Sequence, residues 1–177
     1  MQTRKKREEA KRKRVNARHR WKAAERTIAG ELNKQFSDIG KFEPMERIPL
    51  LGREGPDLTV NESGLVVNVK SRLEISRSLF PRPSQMFFCG DLVIFRLAEI
   101  GCLYSALMDP LPIDSSRMLM DWWELMEKWT REKEPERGIS AIILHRPRLP
   151  YGDAAVVIHF NDLRRLQCQI KTQTQMQ

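Results

Sequence analysis

Gly55-Pro56-Asp57-Leu58-Thr59-Val60 and Leu65-Val66-Val67-Asn68-Val69-Lys70-Ser71-Arg72 are two short β-like runs joined by Asn61-Glu62-Ser63-Gly64. The joint carries the Asn and Gly of a turn, and the runs beside it are rich in Val, Leu and Thr. Side chains two apart on a strand point to the same face. Asn68 and Lys70 therefore project together, near the place expected for Asp57. An acid, an amide and an amine converging at a strand pair make a poor core. They make a reasonable site.

Outward from this stretch, the whole chain has the character of one domain. Its 177 residues, 41% hydrophobic and 31% charged, suffice for a real core and are unlike a disordered chain. The net charge of +8 and pI near 9.7 point to a polyanionic partner, nucleic acid before an anionic membrane surface. Cys89, Cys102 and Cys168 are too few and too scattered for a zinc knuckle or a disulfide frame, and an odd count fits a reducing compartment. His19, His145 and His159 have no metal-ligand spacing. No apolar run approaches the roughly 20 residues that span a bilayer, and the charged start is not followed by an apolar signal segment. These features read as a cytoplasmic protein without a membrane partner.

Upstream, residues 1–20 form a strongly basic arm, with Arg14 and Arg18 among many Lys and Arg against only Glu8 and Glu9. Helix propensity is good but no face asks to be buried, so the arm reads as disordered or helical, able to order on a phosphate backbone. A solvated leader is the plainer alternative. Trp21, Ala24, Ile28, Leu32 and Phe36 then recur at spacings of three and four, one face of an amphipathic helix with Glu25 at its border. Glu46 to Leu50 is a short strand limited by Pro49, and the link 51–55 carries two glycines and Arg53.

Downstream, residues 75–117 read as a variable insertion, with a helix over Asp91–Leu107 ended by Asp109-Pro110-Leu111-Pro112. A helix capped by Ser115 or Ser116 carries Trp122, Trp123, Leu125, Met126 and Trp129, an aromatic stripe whose helical spacing marks it as core. Ile139–His145 is a strand buried on both faces, Ala154–Phe160 is another, and Asn161 caps a short helix from Asp162 to Leu166. Residues 21–167 form the domain and 168–177 a frayed polar tail. The element order predicts an α/β fold, a mixed sheet flanked by helices.

Ala24-Glu25-Arg26 on a helix, Gly55-Pro56-Asp57, and Val67-Asn68-Val69-Lys70 together resemble the PD-(D/E)xK nuclease superfamily, with its restriction-endonuclease-like fold. Within it the pattern is similar to Holliday junction resolvases and small phage-encoded endonucleases. Ile142-Ile143-Leu144-His145, Gly152-Asp153 and Val156-Val157-Ile158 resemble their closing strands. The likeness covers about residues 21–72 and 132–166. It implies a magnesium- or manganese-dependent DNA endonuclease, selective for branched DNA, acting in recombination as a homodimer. Phosphodiester hydrolysis builds charge on oxygen, which hard-ligated divalent cations offset. By resemblance, the catalytic set is Glu25, Asp57, Asn68 and Lys70, and the metal set Asp57, Asn68, Glu25 and Val69. Lys70 would orient water or stabilise the transition state. Arg26, Arg53, Arg72, Arg14 and Arg18 would contact nucleic acid.

The departure is Asn68, where the pattern has Glu or Asp. Three accounts stand side by side: an active variant, as in some restriction enzymes of the superfamily; an inactivating change that leaves a DNA-binding module; or a displaced carboxylate, Glu62 or Glu74. Each residue also has a plain structural reading. Asp57 can start a turn, Lys70 can guard a sheet edge, and Glu25 can sit on a helix surface. A basic RNA-associated protein is the farther alternative, and no RNP-like aromatic strand motif supports it.

Overall fold

The computed structural model describes residues 2–49, 54–102, 109–114, 117–136 and 138–175, with backbone alone described for 2–18, 102, 109 and 110. Helix α1 (Gln2–Ser37) leads to strand β1 (Leu65–Ser71), β2 (Gln85–Cys89), β3 (Leu92–Arg96) and β4 (Asp109–Pro112). Helix α2 (Arg117–Lys133), β5 (Ile139–His145), β6 (Ala155–His159) and α3 (Phe160–Gln175) complete the order. The six strands form one mixed sheet in the order β1-β5-β6-β3-β2-β4. β1 is parallel to β5 and β2 to β4, while β5–β6, β6–β3 and β3–β2 are antiparallel.

The apolar pattern decides which helix covers which face. β5 is buried at all seven positions because it lies between β1 and β6 with both faces covered. Its odd residues Ile139, Ala141 and Ile143 join Ile28, Leu32 and Phe36 of α1 and Leu163, Leu166 and Ile170 of α3. Its even residues Ile142 and Leu144 join Leu119, Trp123, Met126 and Trp129 of α2. The result is an α/β domain of three layers, with α1 and α3 on one face of the sheet and α2 on the other.

Several expectations are corrected. Asp91–Leu107 is not a helix: β3 occupies Leu92–Arg96 and a 3₁₀ segment Leu97–Cys102, while 103–107 lie outside the described residues. Leu92-Val93-Ile94-Phe95 is a continuous apolar run, and the Gly90-Asp91 joint, with Gly90 at φ +60°, is a two-residue hairpin turn pairing Cys89 with Leu92. β3 then lies inside the sheet against β6, so β2, β3 and β4 are three strands of the common sheet.

The polar tail continues α3 to Gln175, since Leu163, Leu166 and Ile170 keep helical spacing and the Thr174 hydroxyl donates to the Ile39 carbonyl (2.9 Å). Phe160 opens α3, which leaves Asn161 in its first turn rather than at its cap. The runs at 46–50 and 57–60 pair only through an isolated antiparallel bridge, Arg47 to Leu58, and Leu50 lies outside the described residues. The expected caps Ser115 and Ser116 also lie outside them. The basic arm and the amphipathic helix are one helix, α1.

Candidate functional site

The turn after Val60 forms as its chemistry dictates. The Asn61 side chain accepts from the Ser63 amide (3.0 Å), and Gly64 takes φ +71°, which a residue with a Cβ resists. That turn delivers β1 to the sheet edge beside Asp57. The Asp57 amide donates to the Val67 carbonyl (2.8 Å), and the Val69 amide donates to Asp57 Oδ2 (2.7 Å). Asp57 thus continues the edge pairing of β1 with its own carboxylate. A carboxylate has about four acceptor positions, so this bond orients the group without saturating it.

Alternation along β1 sets the other side chains. Val66 packs on the α2 face, so Asn68 and Lys70 point that way too, while Leu65, Val67 and Val69 face α1 and α3. Lys70 Nζ lies 5.7 Å from the centre of the Trp122 ring, and the Arg72 guanidinium lies 5.4 Å from the same ring. From the opposite layer, α1 contributes Glu25, whose carboxylate pairs with Arg47 Nε. Glu25, Asp57, Asn68, Val69, Lys70, Ser71, Arg72 and Trp21 line one open cleft of about 180 Å³. The sheet edge and α1 meet there, with Trp122 of α2 beside Lys70 and Arg72.

Of the expected residues, the structure brings together Glu25, Asp57, Asn68, Val69, Lys70 and Arg72. Arg26 is exposed on α1 and does not line the cleft. Arg53 lies outside the described residues, as do the side chains of Arg14 and Arg18. Neither displaced carboxylate lines the cleft: Glu62 accepts from the Glu43 amide (2.8 Å) elsewhere, and Glu74 borders the adjacent groove.

The electrostatics are unusual for a structural feature. Burial pushes the Asp57 carboxyl up from 3.8 to about 6; the Val69 hydrogen bond opposes this, nearby Glu25 adds to it, and Lys70 and Arg47 oppose it. Burial also lowers the Lys70 ammonium below the usual lysine range, against the pull of Asp57 and with the push of Arg72. Asn68 is 4% exposed; its Nδ2 donates a long bond to the Gly55 carbonyl (3.5 Å), and its buried Oδ1 has no partner among the described residues. An unmet buried acceptor costs about 1–3 kcal/mol, whereas burying an aliphatic side chain contributes about 1.5–3 kcal/mol. A site devoted to stability would carry Val or Leu at 68.

These donors fit a hard divalent cation. Magnesium and manganese take carboxylate, amide and carbonyl oxygens, and the cleft offers Asp57, Glu25 and the unmet Asn68 Oδ1. The Val69 carbonyl joins them, because a strand residue turns its N–H and C=O to the same side and the Val69 N–H faces Asp57. Among the described residues no cluster of three or more His, Cys, Asp or Glu side chains is placed to hold a metal. Asp57, Glu25 and Asn68 offer two carboxylates and one amide oxygen to the cleft.

Four residues escaped the sequence reading. Arg47 anchors Glu25, and its only signal was an arginine in a run facing Asp57. Trp122 lies off the buried stripe: Leu119, Trp123 and Met126 define that stripe, and an adjacent residue is turned about 100° away. Trp21 keeps the helical spacing of the core face yet is 52% exposed, because it lies at the cleft. His145, buried and stacked on Tyr151 (4.2 Å between ring centres), donates from Nε2 to the Leu149 carbonyl (3.1 Å). Its Nδ1 is then the acceptor for the Ser71 hydroxyl (3.0 Å), which leaves the lone pairs of Ser71 for the cleft.

Comparison of the chain with protein-family models, with curated proteins and with solved structures found no match.

Proposed function

We propose that this chain is a metal-dependent DNA endonuclease, selective for branched DNA and acting as a homodimer. The single observation that carries the reading is the convergence of Glu25, Asp57, Asn68 and Lys70 in one cleft. Selectivity for branched DNA and the homodimer rest on the sequence resemblance alone.

In this reading Asp57, Glu25, Asn68 Oδ1 and the Val69 carbonyl hold a magnesium or manganese ion. The bound ion supplies Lewis-acid stabilisation of charge on the phosphoryl oxygens and acidifies water. Asp57 must be ionised to take part, and burial, which raises its pKa to about 6, leaves it ionised above that pH. Lys70, held against Trp122, donates to the attacking water or to the oxygens on which charge builds. Arg72, anchored on the same ring, holds a phosphate at the mouth of the cleft. Ser71, its proton committed to His145, presents an acceptor that can orient a water.

The test is incubation of labelled four-way junction, linear duplex and single-stranded DNA with magnesium or manganese. The expected result is cleavage, fastest on the branched substrate, reduced about a thousandfold in Asp57→Ala and about a hundredfold or more in Lys70→Ala. Tight binding of the junction without cleavage would instead identify a silent nuclease-fold binding module, with Asn68 as the cause if Asn68→Glu restores cutting.

A further inference from the structure

Beside the cleft runs a second, larger groove of about 480 Å³, which shares Trp21, Ser71 and Arg72 with it and adds Arg20, Leu73, Glu74 and Pro147. Trp21 is 52% exposed and Leu73 57%, the two most exposed large apolar side chains among the described residues, and both border this groove. The two side chains place apolar surface at the rim of a charged cleft. Arginines flank it from α1 and from the end of β1, and Arg72 is held by the Trp122 ring at 5.4 Å. Among the described residues, Glu74 is the one carboxylate on its border.

We propose that this groove seats one unpaired nucleotide of the DNA strand whose phosphate lies in the cleft. The inference rests on the nuclease reading for the identity of that strand, but its own support is separate. An indole with an open face stacks on a base, and such stacking does not depend on which base is presented. Bases within a duplex are already stacked on their neighbours, so an exposed tryptophan selects a strand whose base is unpaired. The groove volume falls within the range of pockets for small ligands, about 300–1,000 Å³, room for a nucleotide rather than a length of helix. Arg72 supplies the positive charge that a flanking phosphate requires. The seat and the cleft share three residues, so a base on Trp21 and a phosphate beside Arg72 belong to neighbouring positions of one strand.

The experiment uses the full chain in EDTA, where hydrolysis is suppressed and binding is read by itself. The probes are a short single-stranded oligonucleotide containing 2-aminopurine and a blunt duplex of the same sequence. The wild type should quench the 2-aminopurine by stacking. Trp21→Ala should abolish the quenching and bind the single strand about 10- to 100-fold more weakly, Trp21→Phe should retain most of the affinity, and duplex binding should change by less than about threefold in both. Leu73→Ser, a second exposed position, should weaken single-strand binding in the same direction. Wild-type affinity of Trp21→Ala for the single strand would overturn the proposal, and so would an equal loss on single strand and duplex. Failure of the nuclease reading is seen elsewhere, as absence of metal-dependent cleavage by a protein that still stacks the probe.

Discussion

Asn68 is the residue on which the proposed chemistry of the cleft turns. Its amide oxygen is buried without a partner among the described residues, and it shares the cleft with two carboxylates and an amine. Asn68→Asp should raise the affinity for manganese at pH 8 at least about tenfold, since a unit charge at contact distance is worth several kcal/mol even in a partly screened site. The same change should destabilise the metal-free protein by about 1–3 kcal/mol at pH 7, because a third carboxylate is buried beside Asp57. Calorimetric titration and thermal melts check both parts. Asp57 makes the complementary prediction. Its folded-state pKa of about 6 exceeds the ordinary aspartate value of 3.8, so the folded protein binds this proton more tightly than the unfolded chain does. The stability it contributes is fully present below about pH 4 and lost as pH rises through 6. In the metal-free protein, Asp57→Asn should therefore raise stability at pH 7 by about 2 kcal/mol and change little at pH 4. Melts at the two pH values decide it.

At the scale of elements, β5 ties the two layers of the molecule together, and its entry is crowded. A Cβ at Gly138 would lie 2.5 Å from Thr130 Cγ2 and 2.6 Å from the Glu134 carbonyl oxygen. Gly138→Ala should cost about 2–3 kcal/mol, seen as a melting temperature lower by about 5 °C or more, without changing which residues line the cleft. This element was legible in the sequence because six apolar or small residues in a row, Ile139 to Leu144, leave little alternative to a buried strand. β1 was legible from its alternation and its Asn-Gly turn. β3 was not, because Leu92, Phe95, Glu99 and Cys102 keep approximate helical spacing, and the Gly90-Asp91 joint with its hairpin pairing is what makes Leu92 to Phe95 a strand. α3 was cut short because its last turns hold one apolar residue, Ile170, whose burial depends on packing against α1 and the sheet. The carboxylates and amine of the cleft were legible as types, whereas Trp122, Arg47 and His145 join it only through tertiary contacts.

At the scale of the whole molecule, an excess of eight positive charges gives any DNA complex a strong salt dependence. Arg72, placed at the junction of cleft and groove, is expected to touch phosphate. Arg72→Ala should reduce the slope of log affinity against log salt by about one and weaken binding to all sequences alike, as anisotropy titrations over a salt series would report. The open edge of β1 leaves Asp57, Glu25 and Lys70 lining a cleft, so the arrangement of the sheet places these side chains at the margin rather than the centre of the core. The most direct test of the central claim is single-turnover cleavage of a labelled four-way junction in manganese, comparing the wild type with Asp57→Ala. Cleavage by the wild type and a loss of about a thousandfold in the variant is the predicted result; cleavage at equal rates, or by neither protein, would contradict it.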